Sequence, residues 1–355
     1  MCGIAGIYRH GGLTDMDRAA LAAMTAAIAH RGPDEETFFH GDIVGLGCRR
    51  LSIIDVADGH QPMWSNDGNI VSVANAEIYN HNELREDLSA RGVCFKTRCD
   101  VEVIPHLYRT ESASFANRLN GQFAFAVHNK ASGGLLLGRD QTGIAPLFWA
   151  RVDGGFLFAS EIKSILCHPQ APRRLDPAGL DQILTYPGLV SPRTMFQGIH
   201  ALPPGHLAKI NGGDISVERY WDYDFPRAED LPAADENELL EDLESALTNA
   251  VRKRLRADVP VGLYVSGGLD SALIAALAHK VEPDSARDTF SVGFNIPEID
   301  ERKWQAVVTE AIGSRHHEVI FDQDRVLTHL RDIVWHGETA LKESYNACTL
   351  LLARL

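Results

Sequence analysis

The chain opens on an apolar run, Ile4 to Arg9, and then changes period. Over Asp15 to His30 the apolar residues Leu21, Met24 and Ile28 fall at helical spacing behind a Thr14/Asp15 cap. His30-Arg31-Gly32-Pro33-Asp34 follows, and its glycine and proline are ordinary helix terminators. Arg49-Arg50-Leu51-Ser52-Ile53-Ile54-Asp55 predicts two arginines feeding a short β run. Ile70 to Ala74 predicts another strand, ending in Asn75-Ala76-Glu77-Ile78-Tyr79-Asn80; polar side chains just past a buried strand are where sites tend to sit. Asn82 is expected to cap a short helix carrying Leu84 and Leu88, and Asp100 to cap Val101 to Tyr108. From Gln122 the alternation of Phe123, Phe125 and Val127, then the runs at Leu135, Leu147 and Phe156, predict hairpins of a layered antiparallel sheet.

The second half changes character. Asp176-Pro177 reads as a helix cap with proline at the first helical position. Asp222 to Asp235 is acidic and holds two prolines, the composition of a linker. An amphipathic helix is predicted over Asp235 to Arg256, with Leu239, Leu240, Leu243, Leu247 and Val251 on one side and Arg252, Lys253 and Arg254 complementing its C-terminal dipole. An apolar strand, Val259 to Val265, then runs into Ser266-Gly267-Gly268-Leu269-Asp270-Ser271 and the helix Ala272 to Lys280. Strand, glycine-rich turn and helix N-terminus make an anion cradle. This loop lacks the lysine of a Walker loop and the spacing of a dinucleotide fingerprint. Thr289 to Phe294 and His317 to Phe321 are further strands around the helix Glu301 to Ile312, and such alternation implies a parallel sheet.

At 355 residues the chain suggests about two domains. Its net charge of −14 argues against a nucleic-acid or anionic-membrane surface. No apolar run approaches the roughly 20 residues of a membrane span, and the N-terminus lacks a signal-peptide pattern, so a cytoplasmic location is expected. The six cysteines are scattered without a C-x-x-C pair, which favours reduced thiols, and His316-His317 reads as a polar strand start rather than a zinc site. Cys2 is different. Removal of Met1 would give its thiol a free α-amine titrating near pH ~8, a nucleophile and its base in one residue.

The ordered set Met1-Cys2-Gly3-Ile4, His30 to Asp34, Arg50 to Asp55, Gln61-Pro62, Asn75 to Asn80, Phe123 to Ala126 and Gly138-Arg139-Asp140 resembles the glutamine amidotransferases with an N-terminal nucleophile. Within them it resembles the glutamine-hydrolysing asparagine synthetases. The loop Ser266 to Ser271 resembles the pyrophosphate loop of ATP pyrophosphatases. The resemblance implies an α+β layered sandwich of the N-terminal-nucleophile amidohydrolase type over residues 1–221, a linker over 222–235, and over 236–355 an α/β parallel-sheet nucleotide-binding domain.

It further implies that Cys2 attacks the side-chain amide of glutamine. Arg50 would hold the substrate carboxylate, Glu77 and Asp100 its ammonium, and Leu51, Ser52, Ile53 and Ile54 would line the pocket. Asn75 and the N–H of Ala76 would form the oxyanion hole. The family usually has glycine at position 76. An alanine keeps the N–H, but costs roughly 1 kcal/mol or more if the backbone there requires positive φ. ATP would be held by Ser266, Gly267, Gly268 and Ser271, with Val265 and Val292 flanking the adenine and Asp270 helping to place Mg²⁺.

Ammonia freed at Cys2 would then aminate an adenylated carboxylate. Aspartate is the acceptor in the family; amidation of another carboxylate, or a non-catalytic glutamine-binding role, are the alternatives. The resemblance is compatible with a homodimer. Family members continue to a segment of the type Ser-Gly-x-Gly-x-Asp-Glu, so a chain ending at Leu355 is expected to hold an incomplete adenylating domain. Glu338-Thr339 stands where the family often has an acid followed by proline, with Lys342-Glu343-Ser344-Tyr345-Asn346 after it, which leaves the acceptor open.

Overall fold

Period-two alternation in the first half builds two six-stranded antiparallel sheets. One runs, edge to edge, Ile199–Ala201, Phe148–Val152, Gly155–Ala159, Gly3–Arg9, Val44–Arg50 and Glu35–His40. The other runs Asp214–Arg219, His206–Asn211, Leu135–Arg139, Gly121–Asn129, Ile70–Ile78 and Met63–Trp64. These come from a computed structural model that describes residues 1–230, 235–340 and 345–355. Residues 231–234 of the expected linker, and Lys342, Glu343 and Ser344 of the expected acceptor segment, lie outside the described residues.

Alternate residues of each strand face different layers. Ile4, Tyr8, Leu46, Val71, Val73, Ala124, Ala126 and Leu137 meet between the sheets. Ala5 and Ile7 point the other way, onto Leu21, Met24 and Ile28 of the first helical segment and onto Ile162 and Ile165. Behind the second sheet, Ile78, Phe123, Phe125 and Val127 pack on Leu84, Leu88, Ile104 and Leu107. The first unit, Met1–Asp224, is thus a helix–sheet–sheet–helix sandwich with three apolar layers.

Five local expectations of this unit are corrected. The first helix spans Asp15–Ala26, fastened by a Thr14–Asp17 capping box, and a separate 3-10 turn covers Ala29–Arg31. The β run expected beyond Arg49 stops at Arg50, and residues 51–56 leave the sheet. The strand starting at Ile70 does not end at Ala74 but runs through Asn75, Ala76 and Glu77 to Ile78. Asn82 lies inside the helix His81–Ala90 rather than capping it, and Asp100 opens a 3-10 turn with its carboxylate bonded across to the Ile78 N–H at 2.7 Å. A partner elsewhere in the fold outcompetes the local cap.

The second unit, Phe225–Leu355, holds three parallel strands in the order Leu263–Tyr264, Asp288–Phe294, Arg315–Phe321. The first is shorter than the expected Val259 to Val265, because Pro260 has no N–H to donate and Gly262 lies under the Phe290 ring. Helix Glu236–Arg254, capped by Asp235, packs through Leu247, Val251 and Leu255 on Leu277 and Ala278 of helix Leu269–Val281. Only part of its apolar stripe is covered: Leu239, Leu240 and Leu243 are more than half exposed, since a 19-residue helix outruns a 13-residue partner. His316 hydrogen-bonds Thr289 and Ser291, and His317 pairs with Asp288. Among the described residues no helix is long and apolar enough to cross a membrane.

Candidate active site

Cys2 immediately precedes Gly3–Arg9, a central strand of the first sheet, and is 9% exposed. Its sulfur accepts the Leu51 N–H at 3.4 Å, and its thiol faces the Leu51 carbonyl at 3.7 Å. Burial pushes the thiol pKa up against the lowering effect of the Leu51 bond and the nearby amine. Burial acts oppositely on the Met1 amine, pushing it down. That amine lies near enough to act electrostatically on the thiol, but it belongs to Met1 and would leave with it.

The pentapeptide after the first helix does more than terminate it. Arg31 Nε donates to the Cys2 carbonyl at 3.0 Å, and Glu161 holds Arg31, His30 and Lys163 together. These contacts keep Glu161 ionised, its pKa lowered to about 2 against the effect of burial. Gly32 sits so close to the Arg49–Arg50 backbone that a Cβ would lie 2.3 Å from the Arg49 carbonyl carbon. Asp34 then accepts the Ser52 N–H at 2.8 Å, fastening the loop that carries Leu51.

Arg50 is buried, and its Nη atoms donate to the carbonyls of Ile54, Asp55 and Val56. In the free protein this guanidinium shapes the half-buried loop Leu51 to Asp55. Glu35 approaches it at 4.0 Å.

Glu77 and Asp100 are brought together from strand and turn. Burial, then the charge of Asp100, push Glu77 up to about 8. Burial pushes Asp100 up to about 6 against hydrogen bonds led by the Ile78 N–H. Both acids also act electrostatically on Cys2. Two neighbouring carboxyls with raised pKa, Asp100 buried and Glu77 half-buried, form a receptacle for a cation.

Asn75 is 1% exposed, and neither its Oδ1 nor its Nδ2 has a hydrogen-bond partner. A buried polar group left unmatched costs about 1–3 kcal/mol, a cost usually met only where a ligand supplies the partner. Its neighbour Ala76 has no positive φ, so the methyl group carries no backbone strain there; it packs toward the helix-backed core.

The direction of the Ala76 N–H follows from the ladder. Ala76 lies opposite Phe123, whose N–H donates to Asp140 and whose carbonyl accepts the Asp140 N–H. A strand residue points both backbone groups to one side, so the pair shares no bond and Ala76 faces the other edge. Along that edge Ile70 exchanges bonds with Ser65, Ser72 lies beside Met63, Ala74 is held by the Gln61 side chain, and the Ile78 N–H is held by Asp100. Ala76 is the open rung between Gln61 and Asp100. Its N–H and the Asn75 amide stand on one stretch of strand, beside the acid pair.

Ser266 to Ser271 forms a separate feature in the second unit. Helix Leu269–Val281 starts at Gly268 with no side-chain cap, leaving its first N–H groups open. Ser266 Oγ accepts the Gly268 N–H at 3.2 Å and meets Ser271 Oγ at 3.0 Å, which holds the turn in shape. Gly267 has φ +88°, a value that L side chains rarely adopt. A cavity of about 280 Å³ adjoins this turn, lined by Val265, Ser266, Ser271, Val292 and Gln305 among others. The Val292 carbonyl accepts Gln305 Nε2 at 3.0 Å. Asp270 stands in the first turn of the helix.

Of the residues expected at the glutamine pocket, the structure gathers Cys2, Arg50, Leu51, Glu77 and Asp100 and sets Asn75 and Ala76 on the strand that carries Glu77. Arg31, Glu161 and Gln61 were missed as individual contributors. The first and last stand inside quoted motifs, but a motif does not say which atom each residue holds.

The layered sandwich with its cysteine at the head of a central strand places the first unit in the N-terminal-nucleophile amidohydrolase class. Residues 1–221 match the family model described as a glutamine amidotransferase domain, and the chain belongs to that family. Residues 242–355 match the model described as asparagine synthase. The chain is 34% identical over 349 residues to asparagine synthetase [glutamine-hydrolyzing] 1 of Bacillus subtilis, covering 97% of this chain and 54% of that protein. It is 31% identical over 351 residues to asparagine synthetase [glutamine-hydrolyzing] 3 of the same organism, covering 94% and 56%. It is also 31% identical over 378 residues to amidase chyE of Penicillium rubens, covering 99% and 56%. The chain spans about half the length of these curated relatives.

Proposed function

We propose that this chain carries a glutamine-dependent amidotransferase in which Cys2, freed of Met1, hydrolyses glutamine and the ammonia aminates an adenylated carboxylate, aspartate to asparagine. The observation that carries the first half is the acid pair of half-buried Glu77 and buried Asp100, both with raised pKa, near a buried thiol and an unpartnered Asn75 amide. An amino-acid ammonium supplies the positive charge the acids lack. Arg50 receives the α-carboxylate, exchanging part of its hold on the loop carbonyls.

The Cys2 α-amine takes the thiol proton, and sulfur attacks the side-chain amide carbon. Asn75 Nδ2 and the Ala76 N–H receive the oxyanion. Collapse breaks the C–N bond, the nitrogen leaves as ammonia with the proton held on the amine, and water cleaves the thioester to glutamate. In the second unit, the open helix N-terminus and Ser266, Gly267, Gly268 and Ser271 suit the phosphates of ATP, with Val265 and Val292 beside the base. An acceptor carboxylate oxygen attacks the α-phosphorus, pyrophosphate leaves, and ammonia displaces AMP from the acyl carbon. A single carboxylate, Asp270, with phosphate oxygens and waters fits the usual ligation of Mg²⁺, and that ion would offset the phosphate charge.

The names of the Bacillus subtilis relatives, asparagine synthetases, support aspartate as acceptor. Glutamate release from glutamine is expected from the wild-type chain and none from Cys2→Ala. Glutamate released equally by both would remove Cys2 from the mechanism. Pyrophosphate exchange into ATP that depends on aspartate, and not on other carboxylates, would identify the acceptor.

A further inference from the structure

The edge on which the Ala76 N–H stands is not held by a continuous neighbouring strand. Met63–Trp64 is a two-residue strand that pairs with Ser72 and Val71. Pro62 precedes it and has no N–H, so backbone pairing cannot extend past it toward Ala74. At that point a side chain takes over. Gln61 is 5% exposed, its Nε2 donates to the Ala74 carbonyl at 2.9 Å, and its Oε1 accepts the Ala74 N–H at 2.6 Å. One carboxamide thus reproduces both bonds that a strand partner would make. Two residues on, the Ala76 N–H faces the same edge, and the Asn75 side chain leaves the strand between them.

Resting on the glutaminase reading above, we propose that Gln61 is a positioning residue for the oxyanion hole, clamping the strand edge at Ala74 so that the Ala76 N–H and the Asn75 amide are fixed before substrate arrives. On the far side Asp100 clamps the same edge at Ile78, so the open rung is anchored at both ends. Hydrogen-bond donors act on an oxyanion only when their geometry is set in advance. A shift of a few tenths of an ångström at Ala74 passes through two peptide planes to the donor and little further. Gln61 does not touch the substrate. Its removal lowers the rate of the chemical step and leaves glutamine binding at Arg50, Glu77 and Asp100 intact.

The test uses the full chain and two variants. Gln61→Leu keeps the volume and loses both bonds; kcat for glutamate release is expected to fall about 10- to 100-fold, with KM within about three-fold of wild type. Alkylation of Cys2 by iodoacetamide, which needs no oxyanion hole, is expected at the wild-type rate. Gln61→Glu adds a readout that a merely structural role would not move. As a carboxylate it cannot donate to the Ala74 carbonyl, but once protonated it matches the amide, so its kcat relative to wild type is expected to rise as pH falls. A Gln61→Leu kcat within two-fold of wild type, a loss of kcat matched by an equal loss of alkylation rate, or a pH-independent Gln61→Glu ratio overturns the proposal. If Gln61→Leu does not fold, the Gln61→Glu profile decides alone. A wild-type chain that releases no Cys2-dependent glutamate overturns the glutaminase reading and this proposal together, whereas active wild type with indifferent Gln61 variants overturns this proposal only.

Discussion

Glu77 in the free protein sits at a pKa of about 8, raised by burial and then by the charge of Asp100 against the pull of the N-terminal amine, and Asp100 at about 6, raised by burial. The consequence for pH has a definite sign. Acids raised on folding hold their protons in the folded state, so their contribution to stability is lost as pH rises from the usual carboxylate range through about 6 and then 8. Glutamine reverses this by putting an ammonium where the protons were. In Cys2→Ala, which cannot turn over, the rise in Tm given by saturating glutamine is expected to be larger near pH ~8 than near pH ~5.5, with about one proton released per glutamine bound near neutrality. A Tm gain independent of pH, or calorimetry showing no proton release, would count against the acid pair as the ammonium site. Cys2 itself was visible from its position and its motif. The reason Asn75 is orphaned was not, because an unpartnered amide is a property of its surroundings.

At the scale of elements, polar side chains repeatedly do work that backbone pairing leaves undone. Asp140 is fully buried and accepts N–H groups from Phe123, Thr142, Ile144 and Ala145, closing the turn after Leu135–Arg139 and orienting the rung opposite Ala76. Gly138, just before it, lies under the Phe125 ring, where a Cβ would come within 2.2 Å of Cζ. Asp140→Ala is expected to lower unfolding stability by about 3 kcal/mol or more, since several buried donors lose their acceptor at once. Urea denaturation followed by fluorescence would measure it, and a loss under ~1 kcal/mol would show that water satisfies those groups instead. Most elements were legible from periodicity: the capped first helix, the hairpins after Gln122, and the βαβ alternation of the second half. Boundaries failed where a distant partner decided them. Asp100 reads as a cap until Ile78 is known to lie beside it, and Asn75-Ala76-Glu77 reads as a loop until the ladder with Gly121–Asn129 is seen.

For the molecule as a whole, the three apolar layers of Met1–Asp224 are built from that unit's residues alone, and Phe225–Leu355 has a smaller core of its own. Residues 1–224 expressed alone are therefore expected to fold cooperatively and to release glutamate with kcat within about three-fold of the full chain. A fragment that folds but loses activity would show that the second unit sets the geometry of the first. What the sequence determined by itself was whatever short-range chemistry dictates: a thiol one residue from the start, the strand and helix periods, the turn residues, the anion cradle at Ser266, and the family those motifs resemble. What only the tertiary structure decided was which polar groups are satisfied and which are left waiting. Gln61 reaches Ala74 across 13 positions of sequence, Asp100 reaches Ile78 across 22, and Arg31 reaches Cys2 across 29. No local pattern encodes those pairings; they arise because packing two sheets face to face buries the strand edge and forces each of its hydrogen-bonding groups either to find a partner or to await a ligand.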